Sequence, residues 1–357
     1  MVKLPAKVEG AEYGGPIFTN PGGPGGSGVG DILTSGKVYQ NMTGTQFDII
    51  GFDPRDVNMT TPTVSAFETA EEGRAFAPDV IGDLNSTADA LSLAWASYQS
   101  YGQAAQSRDV NGTLNFVSTA DVARDMLAMM NALGQDKLQY YGISYGTYLG
   151  QVFATMFPDR VGRMVIDGKK FTQSLIDQVI EIIHAGVVDS EAYLASDWGT
   201  LTQDMDKLMQ AFFESCHSVG PELCPFYAST PSEIASNLDA IYDSLRVQPL
   251  PVLSGDTVAV FTYDNLRSII WESTVSPFTG FPTIASILAQ LSQGNATGLA
   301  TDTPISDDIV NQGEAFTAIH CSDANPLNSS ASELREYMSS VNSSFAGVAT
   351  AARARCT

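Results

Sequence analysis

Residues 138–156 read LQYYGISYGTYLGQVFATM, and this stretch decides the fold. Leu138 to Ile143 form a short apolar and aromatic run of the kind that makes a buried strand. The segment from Tyr145 to about Met156 carries apolar residues at helical spacing. Between them, Gly142-Ile143-Ser144-Tyr145-Gly146 matches G-x-S-x-G. The spacing has a steric cause. A serine on a sharp strand-to-helix turn needs small residues two before and two after it, so that strand and helix can approach. Such a turn lifts the hydroxyl of Ser144 clear of the sheet, at a helix N-terminus. There the dipole and the backbone N–H of Tyr145 can stabilise an oxyanion.

The flanking sequence supplies the other elements. RMVID at 163–167 is a further strand, as are PIFTN at 16–20 and QFDIIGF at 46–52. Residues 118–133 predict a helix, with Ser118 and Asp121 as its capping signal and Gly134 as its stop. Its apolar residues are Val122, Met126, Met129, Met130 and Leu133. Strands alternating with helices predict an α/β fold with a doubly wound, mostly parallel sheet. From about 190 to 315 the pattern turns mostly helical, as expected of an inserted cap. The first strand runs into NPGGPGGSG at 20–28, where only turn or loop backbone suits so much Gly and Pro. Glycine N–H groups can approach a substrate carbonyl where a Cβ would collide, and Gly23 is the expected second oxyanion donor. A phosphate cradle is the alternative, but G-x-x-x-x-G-K-[ST] is absent.

The chain has 357 residues and a formal net charge of −22, which disfavours nucleic acid and anionic membrane surfaces as partners. No run of 18 apolar residues occurs, so no membrane span is expected. Cys216, Cys224, Cys321 and Cys356 show no CxxC spacing, so a zinc or redox site is not expected. They allow three connectivities, of which two local pairs, Cys216–Cys224 and Cys321–Cys356, are the simplest. Asn41, Asn58, Asn85, Asn111, Asn295, Asn328 and Asn342 each open an N-x-[ST] triplet, half of the 14 asparagines. That density predicts a secreted glycoprotein, although MVKLPAKVEG at 1–10 lacks the apolar core of a signal peptide.

NPGGPGGSG, FDIIGFDPR and LQYYGISYGTYLGQVFATMFPDRVGRMVIDG together resemble the proline-iminopeptidase and tripeptidyl-aminopeptidase family of α/β-hydrolases. The likeness runs from about Pro16 to Gly168, resumes at Gly186-Val187-Val188-Asp189, and returns near AIHCSDA at 318–324. It implies a secreted serine exopeptidase that cleaves residues or short peptides from free N-termini through an acyl-Ser144 intermediate. Ser144 is then the nucleophile, the loop at 21–25 the oxyanion hole, and no metal or organic cofactor is implied. Substrates are peptides or small esters. The rival readings are an esterase of the same fold and a non-catalytic fragment.

The expected organisation is a core at 1–168, an insertion at 169–185, a helical cap at 186–315, and an end of the cap at 316–357. Three departures stand out. Asp56 follows Asp53-Pro54-Arg55 where relatives have Gly, a strained choice if φ there is positive. KKFTQSLIDQVIEIIHA at 169–185 interrupts the family text, and its junctions fit a retained intron; an amphipathic helix is the alternative. The triad order of this fold is Ser, acid, His, and the resemblance places acid and base after the cap. The chain is therefore expected to be truncated at both ends, with the C-terminal part of its sheet missing and turnover low. Of its histidines, His184 lies in the insertion, His217 in a small disulfide loop, and His320 in the cap. The acidic candidates for a substrate ammonium group are Glu272 and Glu314.

Overall fold

Four parallel strands carry the structure, and the elbow sequence sits at the end of one of them. The computed structural model describes all residues except 81, 168–185, 255–256 and 300–306. The insertion expected at 169–185, His184 included, thus lies outside the described residues. The order of elements is β1 (Val2–Leu4), β2 (Gly15–Asn20), α1 (Gly28–Thr43), β3 (Phe47–Gly51), α2 (Ala70–Val80), α3 (Ala90–Arg108), α4 (Thr119–Ala132), β4 (Leu138–Ile143), α5 (Tyr145–Met156) and β5 (Val161–Asp167). The second half contains α6 (Ser190–Leu194), α7 (Met205–Val219), α8 (Pro231–Val247), β6 (Leu250–Ser254), β7 (Thr257–Phe261), α9 (Tyr263–Thr274), α10 (Pro277–Leu291), α11 (Asp307–Asp323), α12 (Ala331–Ser340) and α13 (Ala346–Ala354).

The main sheet has the order β1-β3-β2-β4-β5. β2 pairs in parallel with β3 and β4, β4 with β5, and β1 runs antiparallel on β3. β2 and β3 are buried along their whole length, as parallel strands covered on both faces must be. β5 forms one edge of the described sheet and leaves Val165 and Ile166 exposed. Helix α4 begins where the sequence predicts, with Ser118 accepting a bond from Asp121 N. Val122, Met126 and Met130 are buried against the sheet, each contributing about 1.5–3 kcal/mol. Leu133, by contrast, caps the helix on the solvent side, and Gly134 takes the left-handed conformation (φ 70°) that ends it.

Sequence reading missed three features. β1 is only three residues long, too short to show a period. β6 and β7 form an antiparallel hairpin inside the helical cap. Helices α2 and α3 leave the sheet after β3 and pack towards the chain's last helices. Leu91 and Tyr98 share a cluster with Leu334, Ala351 and Ala354. The cap has its own core around Phe212, Ile234, Leu266, Ile270 and Leu288. Disulfides join Cys216 to Cys224 and Cys321 to Cys356, the second tying the end of α11 to the residues after α13. No described helix is long and apolar enough to cross a membrane.

Candidate active site

Ser144 stands between β4 and α5 with φ 54° and ψ −124°, a backbone conformation that L-residues rarely adopt. Its neighbours hold it there. Ser144 N donates to Asp167 O at 3.3 Å, and Ser144 O accepts from Thr147 N (2.8 Å) and Thr147 Oγ1 (2.6 Å). A Cβ on Gly142 would lie 2.3 Å from Gly146 O, and one on Gly146 would lie 2.6 Å from Asn20 O. Both glycines of the motif are thus required by contact with backbone.

The glycine loop lies against this turn. A Cβ on Gly22 would come within 2.7 Å of both Ile143 O and Ser144 Cβ. Gly22 N is taken by Asn20 Oδ1 at 3.0 Å, and Gly26 N closes the loop onto Gly22 O at 3.1 Å. Gly23, the expected donor, follows directly with φ 112°. Asp53 braces the loop from below, accepting from Ser27 Oγ (2.7 Å), Val29 N (3.1 Å) and Asn58 Nδ2 (3.1 Å). Arg55 forms a two-pronged bond to Asp125 at 2.6 and 2.7 Å, fixing the loop after β3 to α4. Asp56 does have positive φ (62°), and its carboxylate accepts from Val64 N at 2.8 Å, a local bond that makes Asp tolerable in a conformation that favours Gly.

Tyr145, the other expected oxyanion donor, has a fully buried side chain. Its phenol lies 2.5 Å from Thr119 Oγ1, and Thr119 in turn binds Asp323 at the end of α11 through N (2.7 Å) and Oγ1 (2.5 Å). Asp323 belongs to AIHCSDA, yet nothing in its spacing marks it as a partner of a residue two hundred positions earlier.

The described imidazoles are engaged in the cap. His217 Nδ1 lies 3.3 Å from Ala228 O and its ring stacks on Tyr227. His320 is fully buried, with Nε2 3.3 Å from Tyr193 O and Nδ1 3.3 Å from Cys356 Sγ. Burial pushes it down to about 4, so it is neutral at pH 7. His320, Cys321 and Cys356 bring ligand-type atoms within 4.8 Å of one another, but the two sulfurs are already bonded to each other. Glu314 accepts from Ser65 Oγ (2.8 Å) and Ala66 N (2.7 Å) beside Asp56, at a cavity of about 100 Å³ lined also by Asn58, Val64 and Ala315. Glu272 lies on α9 in the cap, half-buried.

Burial raises Asp56 and Asp323 to about 6 and Glu272 to about 7, and shifts Glu314 and Asp264 the same way. A carboxyl raised on folding binds its proton more tightly in the folded state, so each adds stability as pH falls from about 7 towards its unfolded value near 4. His320, lowered on folding, opposes them below about 6.5. Five carboxyls against one imidazole give a net gain, and the melting temperature is expected to be higher at pH 5.5 than at pH 8. Asp56→Asn, Asp323→Asn and Glu272→Gln should each flatten that slope. A melting temperature that falls steadily from pH 8 to pH 5.5 would contradict this.

Residues 15–220 match the family model described as alpha/beta hydrolase fold. The tripeptidyl aminopeptidase of Streptomyces coelicolor is 38% identical over 160 residues, covering 44% of this chain and 28% of that protein. Serine protease Hip1 of Mycobacterium tuberculosis is 35% identical over 154 residues, 43% of this chain and 29% of that protein. Carboxylesterase B of Mycobacterium tuberculosis is 33% identical over 169 residues, 47% and 31% respectively. The match to each of these relatives spans less than a third of its length.

Proposed function

The chain belongs to the α/β-hydrolase fold family, and on that premise we propose that it carries the nucleophile and oxyanion half of a secreted serine peptidase that acts on free N-termini. The observation that carries this is the strained Ser144 turn with Gly22 packed on its Cβ. Ser144 Oγ attacks the scissile carbonyl and its proton passes to a general base. The N–H groups of Tyr145 and Gly23 hold the resulting oxyanion. Collapse expels the amine, which takes up the proton, and water then releases the acyl group from Ser144. The peptidase reading rests on two of the relatives, the tripeptidyl aminopeptidase and the serine protease Hip1. The buried carboxyls Asp56 and Glu314, which line one cavity, suit a substrate ammonium group. The name carboxylesterase B favours the second reading, an esterase.

Both described imidazoles are held by cap groups, so the base of this reading is not among the described residues. On the expectation that acid and base follow the cap, we propose that residues 1–357 alone give no more than trace turnover of tripeptidyl amides and nitrophenyl esters. A fluorophosphonate should label Ser144 slowly, and Ser144→Ala should remove the label. Label that persists in Ser144→Ala overturns the nucleophile assignment. Fast hydrolysis that Ser144→Ala abolishes keeps the nucleophile but overturns the missing base. Relative rates on amide and ester then separate the two substrate readings.

Secretion with N-glycans completes the proposal. Asn41, Asn85, Asn111, Asn295, Asn328 and Asn342 are exposed. Asn58 differs, because its amide nitrogen donates to Ser27 Oγ (3.0 Å) as well as to Asp53 Oδ2 (3.1 Å). A glycan there would displace one of those bonds beneath the oxyanion loop. Asn58 is exposed too, so these bonds alone set it apart, and peptide mapping of folded chain secreted from a eukaryotic host should find Asn58 bare and the other exposed sequons occupied. Equal occupancy at Asn58 would refute this.

A further inference from the structure

One carboxylate near the elbow, that of Asp323, accepts three hydrogen bonds yet has no place in the chemistry above. Asp323 closes α11, a helix of the cap, and its carboxylate reaches across to the start of α4. Thr119 N donates to Oδ1 at 2.7 Å, Thr119 Oγ1 donates to Oδ2 at 2.5 Å, and Tyr193 OH donates to Oδ2 at 3.2 Å. A threonine hydroxyl has one proton. Because Thr119 gives it to Asp323, the 2.5 Å contact with Tyr145 must run from the tyrosine phenol to Thr119 Oγ1. Burial keeps that phenol protonated, as a donor must be. The bonds therefore form one directed chain, from Tyr145 through Thr119 to Asp323. Chains of this kind in a low-dielectric interior polarise one another and hold their members rigidly. The residue at its head is the one whose backbone N–H follows Ser144.

We propose that Asp323 is a positioning residue for the oxyanion hole: through Thr119 it anchors the side chain of Tyr145, and so fixes the direction of the Tyr145 N–H beside Ser144. This rests on the reading of Tyr145 as an oxyanion donor. Tyr145 is the first residue of α5, preceded by a strained Ser144, so its backbone has no earlier helical turn to steady it. Its side chain is the available anchor. The disulfide Cys321–Cys356, two residues before Asp323, and the packing of His320 between Tyr193 and Trp198 hold the far end of the chain of bonds in place. The cap helix thereby acts on the nucleophile's surroundings without touching a substrate.

The test uses the whole chain and the variants Asp323→Asn, Thr119→Val and Tyr145→Phe. Thr119→Val keeps the shape and removes the hydroxyl; Tyr145→Phe removes only the phenol oxygen. Two readouts are followed: hydrogen exchange of the peptide spanning 143–148, and the rate of fluorophosphonate labelling at Ser144. Each variant should raise exchange in that peptide several-fold while peptides from β2 and β3 stay unchanged, and should slow labelling about 3- to 10-fold. The double variant Asp323→Asn/Tyr145→Phe should be no slower than the worse single one, because both cut the same chain. A purely structural role predicts lower melting temperatures with labelling rate and elbow exchange unchanged, and that result overturns the proposal. Additive losses in the double variant overturn it as well. Loss of the label in wild type, or its persistence in Ser144→Ala, instead strikes at the underlying reading; the exchange readout still decides whether Asp323 anchors the elbow.

Discussion

Replacing Asp83 by alanine is expected to destabilise the fold by about 3–5 kcal/mol, read as a lower urea midpoint. Asp83 and Arg267 form the most deeply buried ion pair described, 2% and 4% exposed, with Nε to Oδ2 at 2.9 Å. The guanidinium also donates to Ser344 O at 2.6 Å and lies 3.8 Å from the centre of the Phe345 ring. Asp83 sits in the loop before α3, Arg267 on α9, and Ser344 just before α13. The Arg267 guanidinium thus joins three separate parts of the chain. Removal of Asp83 leaves that cation in low dielectric without its hydrogen-bonded counter-charge, which costs far more than the pair itself contributes. The double replacement Asp83→Leu/Arg267→Met should recover much of the loss. A single-variant loss under about 1 kcal/mol would show that water reaches Arg267 more easily than its burial implies.

Gly22→Ala is expected to slow phosphonate labelling of Ser144 by about 10²–10³, comparable to losing an oxyanion donor. Gly22 has φ 103°, and its missing Cβ would meet Ile143 O and Ser144 Cβ at 2.7 Å. Neither neighbour can yield. One is backbone in the central sheet and the other is the nucleophile itself. The loop must therefore withdraw and carry Gly23 with it. Gly26→Ala is the informative comparison. A Cβ there would meet Gly22 O at 2.7 Å, the contact is within the loop, and φ is not positive. Its effect should be smaller. Labelling of Gly22→Ala at the wild-type rate would mean that the loop takes no part in stabilising the transition state.

The elements around Ser144 were legible because they are written locally. β2, β3 and β4 are continuous apolar runs, and the elbow and its two glycines occupy five consecutive positions. The start of α4 was likewise set by Ser118 and Asp121. The hairpin of β6 and β7 has a local signal too, since Gly255-Asp256 separates two short runs in the sequence. α2 and α3 were hidden for a different reason. The sequence of α3 is rich in Ala, Ser and Gln with a weak apolar stripe, α2 is only eleven residues long, and the surface they bury on is made by helices more than 220 residues later. The tertiary bonds were not legible at all. Nothing in the spacing of Asp83, Thr119, Arg267 or Asp323 pairs them, because such pairs are fixed by packing and not by any period along the chain.

The bond from Thr119 N to Asp323 closes a separation of 204 residues, and that distance sets an order of events during synthesis. At about 5–20 residues per second, Asp323 leaves the ribosome about 10–40 s after Thr119. The central strands and the Ser144 turn, all complete by Asp167, can pair long before then. Over that interval the elbow exists with its Thr119 anchor unfinished. Contacts of this range also carry the largest loop-closure cost, so they form late in refolding as well. The molecule is therefore assembled sheet first and fastened last.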